Sequence, residues 1–476
     1  MKKEENEDID SPKIQELKKA ALEKSIKEGS ATAFSSGTTL SYATPYALAL
    51  GATGSQIGFL SASPAILNPL AQFASSKLME KYHRKEIVKL SVLLQAITFL
   101  PLGVIGLLSY FNIISNYLVY LFIAFYALLS IFGGMVYPPW FSWMGDLTNE
   151  KERGEYFARR NRILGIVEIL GMLTGLLLLN TFKTIPVLIG FSTLFFLAFI
   201  SRLYSLYLIR KQYIPLDIKR KRDKIFLKQF LNSNKNFKIF STYNFFLNFA
   251  IFIASPFFAV YMLDKSSGLS LSYTWFIIIT TFGAIFNLIF LKIIGKFSDK
   301  HGNLKLITVS NLFFALNPLL WILIKNPFGL IFIQLVSGLA NASFIISFNN
   351  FSYNSLEQKS RGIGIAYVSI LLGIGAFLGS LVGGFIIDYV PINFINKFFF
   401  LFIIAAILRL AVAVVFIPSL SESQKSNRNH HINLAHPFRG LYNELTTLNY
   451  FIHYIEKEES QSLKVLKPLK KNVLRK

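Results

Sequence analysis

The sequence predicts an all-α membrane protein with about twelve transmembrane helices in two pseudo-symmetric six-helix bundles. Three observations carry that prediction. The 476 residues are 53% hydrophobic and 16% charged, with a mean hydropathy of +0.47, whereas a soluble globular chain carries about 25% charge. Apolar stretches of about 20 residues, each long enough to cross a hydrocarbon core of roughly 30 Å, recur with short polar breaks between them. The second half of the chain also repeats the charge and glycine spacing of the first.

Taken in order, spans are expected at 30–51, 55–78, 87–109, 117–144, 160–180, 185–209, 237–263, 270–297, 306–324, 327–356, 362–390 and 394–416. Apolar runs of that length are helices rather than barrel strands. The segment before them, 1–29, mixes acids and bases and lacks the apolar core and cleavage site of a signal peptide, so no cleavage is expected. The first span contains SSGTTLSYATPYALAL, whose Ser, Thr and Tyr suit a helix that faces water or solute rather than lipid. Pro45 and Pro256 are expected to bend the first and seventh spans.

The fifth span carries Glu168, near mid-membrane, where a charged side chain costs on the order of 3 kcal/mol or more. It shares a helix face with Gly165, Gly171 and Gly175. Two readings stand: a proton or cation site, or a carboxyl hydrogen-bonded across a helix interface. The GxxxG spacings Gly171/Gly175 and Gly379/Gly383 allow close helix packing. Arg202 and Arg409 occupy matching places in the sixth and twelfth spans and read as scaffold, snorkelling or paired. A basic linker, 210–236, separates a bundle at 30–209 from one at 237–418. The tail, 419–476, is soluble in composition; GLYNELTTLNYFIHYIEKEE suits a membrane surface and KVLKPLKKNVLRK attracts anionic lipid.

The net charge of +23 raises nucleic acid as a partner, but no nucleic-acid motif accompanies the basic residues and none is expected. They sit instead in alternate connections, such as EKYHRKE (80–86), NEKERGEYFARRNR (149–162) and EQKSR (357–361). The opposite connections carry only Lys183, Lys265, Lys325 and Lys397. The positive-inside rule therefore places the basic loops and both termini in the cytoplasm, with the chain in the cell membrane. There is no cysteine, and His430, His431 and His436 lack the carboxylate or thiol companions of a metal site, so neither metal nor cofactor is expected.

The repeat is specific. Lys151, Arg153, Gly154, Ala158, Leu164 and Gly165 recur as Lys359, Arg361, Gly362, Ala366, Leu372 and Gly373, all 208 residues later, and the register continues through Gly171/Gly379 and Gly175/Gly383. ATPYA (43–47) corresponds to ASPFF (254–258), and Glu80 to Asp299 at an offset of 219. Parallel repeats of this kind are known in secondary transporters.

At these residues the chain resembles the major facilitator superfamily. Gly295-Lys-Phe-Ser-Asp299-Lys300-His301-Gly302 resembles the family's loop between its second and third helices. The first copy, Ser76 to Lys85, keeps the charges and replaces both glycines. The resemblance implies ion pairs that close the cytoplasmic side, mapped onto Glu80, Arg84, Asp146, Arg153, Asp299, Lys300 and Arg361. It also places Tyr42, Tyr46, Asn244, Asn248 and Asn341 on helices that line a central cavity, where Glu168 is the candidate proton or substrate carboxylate. The implied function is secondary transport of a small solute by alternating access, with protons as a candidate coupling ion and a monomer embedded in lipid. The alternative is a transporter-like receptor or scaffold that signals through its tail. No GxxxxGK[ST], HExxH or GxSxG string supports an ATP-driven pump or a membrane hydrolase, so an enzyme is not expected.

Overall fold

This computed structural model describes residues 12–114, 117–149, 152–181, 186–215, 235–356 and 361–421, without the side chains of 181, 296, 299–301 and 361–363. The first half comprises α1 (Pro12–Thr39), a 3-10 turn (Leu40–Tyr42), α2 (Ala43–Ala49), α3 (Gly54–Leu78), α4 (Arg84–Tyr110), α5 (Leu118–Leu147), α6 (Arg153–Thr181) and α7 (Val187–Arg210). The second comprises α8 (Lys235–Leu263), α9 (Tyr273–His301), α10 (Asn303–Leu323), α11 (Pro327–Asn354), α12 (Arg361–Tyr389) and α13 (Lys397–Phe416). With α1 and α2 as one interrupted span, these are the twelve spans of an all-α membrane fold. Ten of them, α4 to α13, are long and apolar enough to cross a membrane by composition alone.

Local chemistry sets the boundaries. Thr53 and Gln56 form a capping box at the start of α3, and Asn326 caps α11 by accepting from the Gly329 N–H at 2.7 Å, with Pro327 in the first turn. Gly302, at φ +86°, turns the chain between α9 and α10 in a conformation that disfavours any side chain. Pro45 has no N–H to donate to the Ser41 carbonyl and its ring crowds that turn, so the first span breaks into the 3-10 turn instead of bending smoothly.

Two boundaries differ from expectation. The segment 1–29 was expected to precede the helices, yet α1 starts at Pro12, and Ala21, Ser25 and Glu28 are buried. Hydropathy overlooks this stretch because its inward face is polar and is satisfied by polar partners on α6 and α7. The compact units also cut across the expected bundles. One contains α1 to α7 together with Asn248–Thr281 and Ala366–Leu401; the other contains the rest of α8, Phe282–Ile365 and the chain from Phe402. Within the first unit α3 and α12 approach backbone to backbone, at Gly58 against Ser380 and at Gly384 against Ser55.

Within that unit the repeat is visible as packing. Gly171 and Gly175 admit Phe34 and Tyr42 of the first span against α6, and Gly379 and Gly383 admit Phe249 and Ile253 of α8 against α12. Just past the end of the sixth span three carbonyls are held by three side chains: Lys24 Nζ donates to Lys211 O (3.0 Å), Lys85 Nζ to Gln212 O (2.6 Å) and Trp143 Nε1 to Tyr213 O (3.1 Å). Cations at that end also complement the negative pole of α7.

Candidate functional site

Polar groups gather at four levels, chiefly in the first unit. At the ends near the basic loops, Arg84 at the start of α4 donates to Asp146 Oδ2 at 2.6 Å and to Ser142 at 3.1 Å, fastening α4 to the end of α5. Arg153 pairs with no acid among the described residues. Its guanidinium donates to the Gly145 carbonyl (3.0 Å) and the Thr148 hydroxyl (3.1 Å), which caps α5. Glu80 is exposed and unpaired among the described residues. The side chains of Asp299, Lys300 and Arg361 lie outside the described residues. Among the described side chains of the corresponding turn in the second half, Ser298 donates to Asn303 (2.9 Å) and Asn350 to Ser298 (3.0 Å).

About two helical turns deeper lies a charge cluster that the sequence reading did not assemble. Glu28 on α1 is buried with Arg160 on α6 at 3.7 Å and Arg202 on α7 at 3.8 Å. Thr32 and Ser205 each donate to its Oε1 at 3.1 Å, and Arg202 Nε donates to Gln95 on α4 at 2.6 Å. The Arg160 guanidinium stacks 4.2 Å over Trp140. Arg202 is thus paired scaffold, as its repeat position suggested. Arg409 is likewise buried and donates to the Phe314 carbonyl at 2.7 Å.

At mid-span, Tyr42 and Tyr46 are fully buried, their hydroxyls donating to the carbonyls of Met172 (2.6 Å) and Leu102 (3.0 Å). Asn244 and Asn248 are buried on α8, and Asn341, exposed on α11, donates to Ser337 O at 2.9 Å. Glu168 sits midway along α6. Its backbone meets Gly37 of α1, while its side chain is exposed and makes no hydrogen bond or ion pair among the described residues.

At the ends remote from the basic loops, helices of opposite halves join. The Asp388 carboxylate, in the last turn of α12, accepts from the N–H groups of Gly54 (2.9 Å) and Ser55 (2.6 Å) in the first turn of α3. Ser55 Oγ donates to Gly384 O at 3.3 Å. Below, a Cβ on Gly58 would stand 2.5 Å from the Ser380 carbonyl oxygen, so only hydrogen fits there. Across the pseudo-symmetry, Thr274 at the start of α9 donates to Asn180 Oδ1 in the last turn of α6 at 2.7 Å. Asn180 and Asp388 are 208 residues apart, and Ser55 and Thr274 are 219 apart, the two offsets read from the repeat elsewhere. Sequence inspection missed this pair because the two acceptors are chemically different.

Comparison with known proteins follows the same lines. A curated relative, the probable multidrug resistance protein EmrY of Escherichia coli (strain K12), is 30% identical over 115 residues, which are 24% of this chain. The match spans 22% of that relative's length. A mutant form of the nucleoside transporter NupG superposes with a TM-score of 0.67 at 18% identity, covering 85% of this chain and 100% of NupG. A bacterial homologue of the iron transporter ferroportin gives 0.65 at 15% identity over 84% and 98% of the two chains. A D-xylose–proton symporter gives 0.64 at 15% identity over 87% and 99%. At such identities these structures bear on the fold alone. The family model of the Major Facilitator Superfamily matches residues 29–296 and 245–455, and with more than half of the chain matched, this multi-pass membrane protein belongs to that superfamily.

Proposed function

We propose that the chain is a secondary transporter that moves a small solute by alternating access, with its basic loops and termini on the cytoplasmic side. The observation that carries this reading is the pair of latches remote from the basic loops, Asp388 on α3 and Thr274 on Asn180. Each joins a helix start in one half to a helix end in the other, the first by three exposed or half-buried hydrogen bonds and the second by one. Such bonds contribute about 0.5–1.5 kcal/mol apiece when neutral and about 1.5–3 when charged, enough to bias two states without locking them. Covalent closure of a latch must then stop transport. The chain has no cysteine, so an Asn180→Cys, Thr274→Cys pair can be oxidised cleanly in proteoliposomes. Solute flux is expected to vanish on oxidation and return on reduction; flux that continues through the crosslinked protein would falsify alternating access here.

For coupling, we propose Glu168 as the protonatable carboxylate. It is a mid-span acid without a partner among the described residues, whereas Glu28 is held between two guanidinium groups and two hydroxyls. A membrane-embedded carboxylate with no fixed counter-charge is the group most easily exchanged between charged and neutral forms. The Arg84–Asp146 pair is proposed as the first-half part of the cytoplasmic gate.

A further inference from the structure

Beside the break in the first span lies a cavity of about 250 Å³ bounded by α2, α3 and α5. Leu40, Leu60 and Pro64 give it apolar walls, and Thr44, Ser61 and Tyr126 bring hydroxyls to it. Several other hydroxyls in this region are engaged: Thr38 and Thr39 donate to Phe34 O and Ser35 O, Ser63 to Leu60 O, and Tyr42 and Tyr46 to backbone carbonyls of α6 and α4. The hydroxyls of Thr44, Ser61 and Tyr126 make no hydrogen bond among the described residues. Tyr126 is the sharpest case, because it is only 9% exposed, and a buried tyrosine hydroxyl normally finds a partner. The Pro45 break adds the Ser41 carbonyl, stripped of its i+4 donor, to the same stretch of chain.

No charged side chain lines this half-open cavity, so a charged ligand group would find no counter-ion on its walls, which is costly wherever water is excluded. The volume lies below the roughly 300–1,000 Å³ of drug-sized sites. We propose that this cavity binds the transported solute, and that the solute is a small uncharged molecule with hydroxyl or carbonyl groups along one edge and an apolar surface opposite. The assignment of the solute as cargo rests on the alternating-access reading above; the cavity's ligand class does not.

The test uses the full chain carrying Ser61→Cys as its single thiol. Labelling by a membrane-impermeant maleimide is followed in the presence of D-xylose, glycerol and uridine, with lysine, glutamate and choline as charged probes. At least one uncharged probe is expected to slow labelling in a saturable way and no charged one to do so. Tyr126→Phe, which removes only the hydroxyl, is expected to weaken that protection about five- to tenfold. Protection by charged probes alone, by none of the six, or to the same degree in Tyr126→Phe would overturn the proposal. Saturable protection without flux would leave the cavity assignment standing and count against transport, which separates the two failures.

Discussion

Replacing Asp388 with alanine removes two hydrogen bonds from the first turn of α3 in one step. The carboxylate holds the Gly54 and Ser55 N–H groups at 2.9 and 2.6 Å, and it adds a negative charge at the positive end of a 25-residue helix. Bonds of this kind contribute about 1.5–3 kcal/mol each and the helix pole about 0.3–1 kcal/mol. The end is exposed, however, so water takes over both donors when the carboxylate is lost. A net loss of about 1–2 kcal/mol follows, a factor of about 5–30 in the equilibrium between joined and parted ends. The helix itself should survive, since Thr53 and Gln56 still box its N-terminus. The cost therefore falls on the state in which α3 and α12 meet. Maleimide labelling of Ala65→Cys, behind the seam, reports that state: applied from the side away from the basic loops, the reagent should react about 5–30 times faster in Asp388→Ala, and less so in Asp388→Asn, which keeps one acceptor. Equal labelling rates in Asp388→Ala and its parent would refute the latch.

Gly58→Ala should act in the same direction by a different route, since the new methyl meets the Ser380 carbonyl only when the ends are joined; a shift of about 1–3 kcal/mol is expected in the same labelling assay. Glu28→Ala should lower stability by about 3–5 kcal/mol, because Arg160 and Arg202 would remain buried without their carboxylate. Thermal unfolding in detergent measures it, and an unchanged midpoint would count against the network. Glu168→Gln should leave that midpoint within the spread of surface substitutions, about 0.5 kcal/mol. The same variant is expected to lose accumulation driven by a pH gradient while retaining counterflow, and unchanged pH dependence would sink its role as the coupling group.

Most of the fold was legible because a bilayer makes hydrophobic length a direct readout of helices. The span expected at 327–356 became Pro327–Asn354, and that at 185–209 became Val187–Arg210. Legibility failed where polarity is buried rather than exposed. Residues 12–29 look like a solvated leader by composition, yet Glu28 packs inside because Arg160 and Arg202 wait for it from helices more than 130 residues away. No local pattern announces such a match. Tyr42 and Tyr46 were placed on the correct span, but a helix's position in the fold does not fix which way its side chains point, and both turn into the packing of the first half. Asp388 was within reach, since the constant offset of 208 carries Asn180 onto it. Reading the repeat for equivalent polar positions, and not only for identical residues, brings out the latch.

The anchorage just past the end of α7 bears on how firmly that helix is held. Donors from α1, α4 and α5 converge on three successive carbonyls there, so the chain leaves the first half from a point braced by three spans at once. A load on that end of α7 is then shared by those helices rather than unzipping the last turn of one.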